Sequence, residues 1–134
     1  MTAHRRRIHT QRSGEVQKEK TVPKNKVPTH FASVQDRFPK VMEALEELGK
    51  AARQHGPLEN KTVELIQLAA AAAIQSEGAV HSHVQRATEV GATPDEIYHA
   101  VVLLVSTIGF PRVATSLCWV DDVLRKQGKG APKK

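Results

Sequence analysis

Five alanines in a row, Ala69–Ala73, constrain this chain more than any other feature. They close a segment in which Val63, Leu65, Ile66 and Leu68 already leave little polar surface. A helix that is apolar almost all round is a buried one. Methyl side chains also let neighbouring backbones approach closely. The stretch from Leu58 or Asn60 to Gln75 therefore predicts a central helix surrounded by others, with Asn60 as its N-cap. Aromatic residues make up only 4% of the chain. A core built from Ala, Val, Leu and Ile suits close-packed helices better than an aromatic-rich β sandwich. At 134 residues there is room for one such core.

The flanking segments predict further helices. Ser33 with Asp36 resembles a short helix start, and Pro39 suits the first turn of a helix. From there Val41, Met42, Leu45, Leu48 and Ala52 recur at helical spacing, with Glu43, Glu46, Glu47 and Lys50 opposite them. Gly56-Pro57 ends that helix. Beyond the central helix, Ser76-Glu77-Gly78 reads as a break, and a helix from Ala79 to Val90 closes at Gly91. Thr93-Pro94-Asp95-Glu96 carries a capping box with proline at the first helical position. Its helix is expected to continue through Ile97, Val101 and Leu104 to Ile108. Gly109-Phe110-Pro111 separates it from a last helix over Arg112–Lys126. The expected fold is all-α, a compact domain of five to six helices.

Charge divides the chain into three parts. Residues 1–30 hold eight Lys/Arg against two Glu, and residues 125–134 hold five Lys/Arg and no acid. The body, 31–124, has seven Lys/Arg against twelve Asp/Glu, a net of −5. This predicts a flexible basic arm over 1–32, a helical domain over 33–125 and a basic tail over 126–134. Basic tails without aromatic interleaving read first as solvated chain, with binding to nucleic acid or another acidic partner as the alternative. The longest apolar run, Leu68–Ile74, is too short to span a bilayer. No apolar stretch follows Arg5-Arg6-Arg7, so no secretory signal is read. The single cysteine, Cys118, fits a reducing compartment. The expectation is a cytoplasmic protein with no membrane association.

Polar residues within apolar helices are the candidates for chemistry. Glu64 and Gln67 interrupt the central helix three residues apart, hence on one face. A carboxylate there must be paired, hydrogen-bonded or reached by water. His81 and His83 form an H-x-H pair. On a helix their side chains point about 200° apart, so they do not share one metal ion, and no metal site or other cofactor is expected. Ser76 and Ser82 lack the context of a nucleophilic serine. His99 reads as a helix-surface or interface residue.

Three segments together resemble the carboxymuconolactone decarboxylase and alkyl hydroperoxidase D family. They are Gly56-Pro-Leu-Glu-Asn-Lys-Thr-Val-Glu-Leu-Ile-Gln-Leu-Ala-Ala, then His83-Val-Gln-Arg-Ala leading to Gly91-Ala-Thr-Pro-Asp-Glu-Ile, and Gly109-Phe-Pro. The resemblance covers Phe38 to Leu124. It implies a homo-oligomer, trimer or hexamer, with sites between helices near subunit contacts. In the peroxidase branch a Cys-x-x-Cys precedes the histidine, and its places hold Ser76 and Ala79 here. The histidine between those cysteines falls on Gly78. Thiol peroxidase chemistry needs an attacking thiolate and a resolving partner, and neither is present at these positions. Glu64 and His83 of that branch's relay remain. The decarboxylase branch also lacks the cysteine pair and has a charged residue near Glu77, a basic one at His81 and the same histidine, but does not usually carry Glu64. The chain mixes the two patterns.

The resemblance therefore implies a cysteine-independent enzyme acting on a small carboxylate or lactone. His83 would transfer the proton and Glu64 would fix which ring nitrogen carries it. Glu77, His81 and Ser76 would line the pocket. Two alternatives stand beside this one. The first is alkyl hydroperoxidase-type antioxidant activity, and the second a non-enzymatic oligomeric scaffold with basic tails. The Glu64–His83 pair could equally be a hydrogen bond that only stabilises the fold.

Overall fold

The structure is a computed structural model that describes residues 29–129. Most of the basic arm and the last five residues of the basic tail lie outside the described residues. The described chain forms α1 (Thr29–Arg37), α2 (Pro39–Gln54), α3 (Asn60–Ala73), α4 (Glu77–Glu89), α5 (Pro94–Val102), α6 (Val105–Ile108) and α7 (Phe110–Lys126). It contains no strand among the described residues. The expected all-α architecture is therefore present, with α6 a single turn.

The core lies between α3, α4, α5 and α7. Leu68, Ala71 and Ala72 of α3 meet Val80, Val84 and Ala87 of α4, Ile97 and Val101 of α5, and Val113, Val120, Val123 and Leu124 of α7. A buried Leu, Ile or Val side chain contributes about 1.5–3 kcal/mol, so these residues hold the bundle together. Leu68, Ala72, Val80 and Val84 are 0% exposed. The alanine run is thus asymmetric, since Ala71 and Ala72 are buried whereas Ala70 is exposed. The amphipathic helix α2 buries no residue and packs mainly on α1.

Five boundaries differ from those expected, the first being that α1 begins at Thr29, so that Ser33, read as a helix start, lies inside it. Glu59, not Asn60, occupies the N-cap of α3, and Asn60 is the first helical residue. The break after α3 falls on Ile74–Ser76, and α4 starts at Glu77. Gln75 makes the reversal with φ 55°, a conformation usually left to glycine. Its amide compensates, with Nε2 donating to the Ala72 carbonyl (2.7 Å), the Arg112 carbonyl (3.3 Å) and Ser116 Oγ (3.1 Å). The helix opened by Thr93 stops at Val102, where the Leu104 N–H bonds the Val101 carbonyl and tightens the turn. The last helix begins at Phe110, because Gly109 turns the chain at φ 83° and Pro111 fits the first turn.

The capping box is present in full. The Glu96 N–H donates to Thr93 Oγ1 at 3.2 Å, and the Thr93 N–H donates to Glu96 Oε2 at 2.8 Å. Glu96 Oε1 accepts from Lys61 Nζ at 2.9 Å, which ties the first turn of α5 to the first turn of α3.

Candidate functional site

Glu64 sits in the second turn of α3, and His83 in the middle of α4. The three-residue connection makes the two helices antiparallel and brings these side chains together. His83 Nδ1 lies 3.0 Å from Glu64 Oε2. The carboxylate is 6% exposed and the imidazole 17%. A carboxylate only accepts, so Nδ1–H is the donor to an ionised Glu64 and Nε2 is the ring nitrogen that this bond leaves unused. No other protein group among the described residues bonds the ring.

His83 lines a cavity of about 270 Å³ together with Gln67, Ala70, Ala71, Ile74 and Ala79. The wall is apolar apart from His83 and Gln67. Gln67 lies nearly one turn beyond Glu64 on α3, and its Oε1 is buried without a hydrogen-bond partner. No Lys or Arg belongs to the lining. The alanines matter here directly, because their small side chains leave the space that larger ones would fill.

The other residues singled out in the sequence lie apart from this cavity. Ser76 is the N-cap of α4, and its side chain makes no capping bond. Glu77 and His81 stand on another side of α4, where His81 Nε2 is 3.8 Å from Asp122 Oδ2 of α7. The structure thus brings Glu64 and His83 together, and it groups Glu77 and His81 with Asp122 instead. The roughly 200° between His81 and His83 explains the division. Asp122 has no distinguishing mark in the sequence beyond being an acid in an apolar helix. Cys118 is exposed on α7 and belongs to neither group. Ala79, at the second redox position, puts a methyl group beside His83 in the cavity.

A second apolar depression, about 340 Å³, lies between α3 and α5. Leu65, Ile66, Ala69, Ala100, Leu103 and Leu104 form most of it, with Glu96 and His99 among its polar lining.

The carboxymuconolactone decarboxylase family model matches residues 39–122, which run from the start of α2 into α7. The chain belongs to the carboxymuconolactone decarboxylase family. It is also similar to the crystal structure of an apo carboxymuconolactone decarboxylase family protein from Legionella pneumophila. The two are 30% identical, the match covers 71% of this chain and 88% of that one, and the TM-score is 0.62. No curated protein matches the sequence. Glu64, Ser76, Glu77, Ala79, His81 and His83 all fall within the family match. No helix among the described residues is long and apolar enough to cross a membrane.

Proposed function

We propose that this carboxymuconolactone decarboxylase family protein is a cysteine-independent enzyme that transfers a proton to or from a small lactone or carboxylate. The reading rests on the Glu64–His83 hydrogen bond beside a small, mostly apolar cavity. In a decarboxylation the bond to the carboxylate carbon breaks, CO2 leaves, and the electron pair stays on the substrate as an enolate-like carbanion. His83 Nε2, when protonated, supplies the proton that quenches it and is reprotonated by water. Glu64 holds the ring orientation and stabilises the imidazolium, as a carboxylate does in a His–Asp pair. The Gln67 side chain in the lining carries an amide whose NH2 can donate to a substrate oxygen and whose Oε1 can accept from a substrate hydroxyl. A wall without Lys or Arg favours the ring of a lactone over an additional free carboxylate. Ser76 and Ala79 in place of thiols weigh against the peroxidase reading.

The test is a screen of small carboxylated lactones for CO2 release. Activity that disappears in His83→Ala supports the assignment. Equal turnover of every accepted substrate by His83→Ala and wild type overturns it.

The working form is a homo-oligomer, a trimer or hexamer, in this reading. Val41, Leu45 and Leu48 of α2 are 55–67% exposed along one face. The same chain carries an apolar depression between α3 and α5. A second copy can cover the first with the second, and contiguous apolar surface of this kind marks interaction sites. Light scattering that returns a monomer overturns this part.

A further inference from the structure

We propose that Glu77, His81 and Asp122 form a binding site for a divalent transition-metal ion, zinc above all, on the side of α4 that faces α7. Their ligand atoms all lie within 4.8 Å of one another. Glu77 and His81 are four apart on α4 and so share a face, and α7 supplies Asp122. One of these approaches, His81 Nε2 to Asp122 Oδ2, is 3.8 Å. That is too long for a hydrogen bond but close to the separation of two ligands around one ion. Zinc bonds to N and O of about 2.0–2.2 Å place tetrahedral ligands roughly 3.3–3.6 Å apart. Small rotations of exposed carboxylates close the remainder.

A second observation points to a ligand. His81 Nε2 is shut off from solvent and has no hydrogen-bond partner. A buried ring nitrogen left in that state carries an uncompensated desolvation cost. Two carboxylates so near each other add repulsion. One cation relieves both at once, since it takes the nitrogen lone pair and neutralises the two acids. An imidazole ligand disfavours Ca²⁺ and Mg²⁺, which seek oxygen. One nitrogen and two oxygens suit Zn²⁺ and leave a coordination position open towards solvent.

The site would fix α4 against α7. Gln75 meets Ser116 and His81 faces Asp122 at the same sequence offset, so the two helices run parallel where the ion would sit. Glu77 is the first residue of α4. An ion bound there would hold the start of the helix that carries Ala79 and His83.

Calorimetric titration of the full chain with Zn²⁺, and the visible absorption of added Co²⁺, test the proposal. Wild type should take up one equivalent that is lost or weakened in His81→Ala, Glu77→Gln and Asp122→Asn, while His99→Ala retains it. The weakening should exceed the roughly 10–100-fold that loss of a supporting residue costs. Co²⁺ should give a visible ligand-field band with wild type that fades in the same three variants. The two carboxylate variants replace exposed groups with neutral isosteres, and circular dichroism checks their fold. No uptake by wild type overturns the site, as does uptake that all three variants leave unchanged. The latter would place the ion on other histidines or on Cys118.

Discussion

Glu64 accepts a hydrogen bond from His83 across the α3–α4 interface at 3.0 Å, although nineteen residues separate them in sequence. The bond uses Nδ1 and leaves Nε2 without a protein partner among the described residues. If proton transfer is the function, His83→Ala should lower kcat/KM by about 10²–10⁴-fold. Glu64→Gln keeps an acceptor for Nδ1 and should cost less than Glu64→Ala, which leaves the ring unoriented. Steady-state kinetics on the three variants provides the ranking. Equal effects of Gln and Ala at position 64 would reject the orienting role.

Gln75 should matter more for stability than an ordinary half-buried glutamine. Its amide joins the end of α3 to α7 through three acceptors, and its backbone is in the left-handed region. Gln75→Ala loses the bonds and keeps the strain, so a destabilisation of about 1–3 kcal/mol is expected. Gln75→Gly loses the same bonds but relieves the strain and should cost less. Chemical denaturation of both variants measures the difference.

The alanine run should tolerate enlargement at one position and refuse it at another. Ala72 is 0% exposed within the core, whereas Ala70 is exposed at the cavity. Ala72→Leu should destabilise by about 1–3 kcal/mol through overpacking. Ala70→Leu should leave thermal stability near wild type and reduce occupancy of the His83 cavity, read as a rise in KM.

Stability should also respond to pH through Glu96. The Thr93 backbone N–H, and then Lys61, hold its carboxyl below the usual carboxylate range. The hydrogen bond and charge of Glu96 push the Lys61 ammonium above the usual lysine range. A carboxyl lowered on folding stabilises the fold above its unfolded pKa, and the contribution fades as pH falls through the folded value. A raised ammonium does so below its unfolded pKa and fades as pH rises through the folded one. Glu96→Gln retains a capping side chain but loses the charge. Its Tm deficit against wild type should be present at neutral pH and vanish in acid. Thr93→Ala removes the cap oxygen and should cost about 1 kcal/mol at neutral pH.

Much of the fold was legible because its signals are local. The Thr93–Glu96 box, Gly91 and the apolar Val63–Ala73 stretch each specify a helix or its end without reference to distant residues. The reversal at Gln75 was not, because glycine at position 78 is the obvious turn residue and two of the three compensating bonds come from α7. The stop at Val102 depends on a tight turn within a continuous apolar pattern, which periodicity does not mark. At the site, Glu64 and Gln67 were visible as polar residues on one face of an apolar helix. Their meeting with His83 needed the antiparallel packing of α3 on α4. The grouping of Glu77 and His81 with Asp122 needed the parallel packing of α7, which no spacing in the sequence reveals.

The two histidines of α4 serve different neighbours, one towards α3 and the other towards α7. Each added residue turns a helix by about 100°. An insertion within α4 between His81 and His83 would therefore turn one imidazole by that angle against the other, so that the pair could no longer face Glu64 and Asp122 together. Substitutions can alter this protein's cavity one methyl group at a time. A change of length between the two histidines has no such gradual path, because it separates the two sides of α4 in a single step.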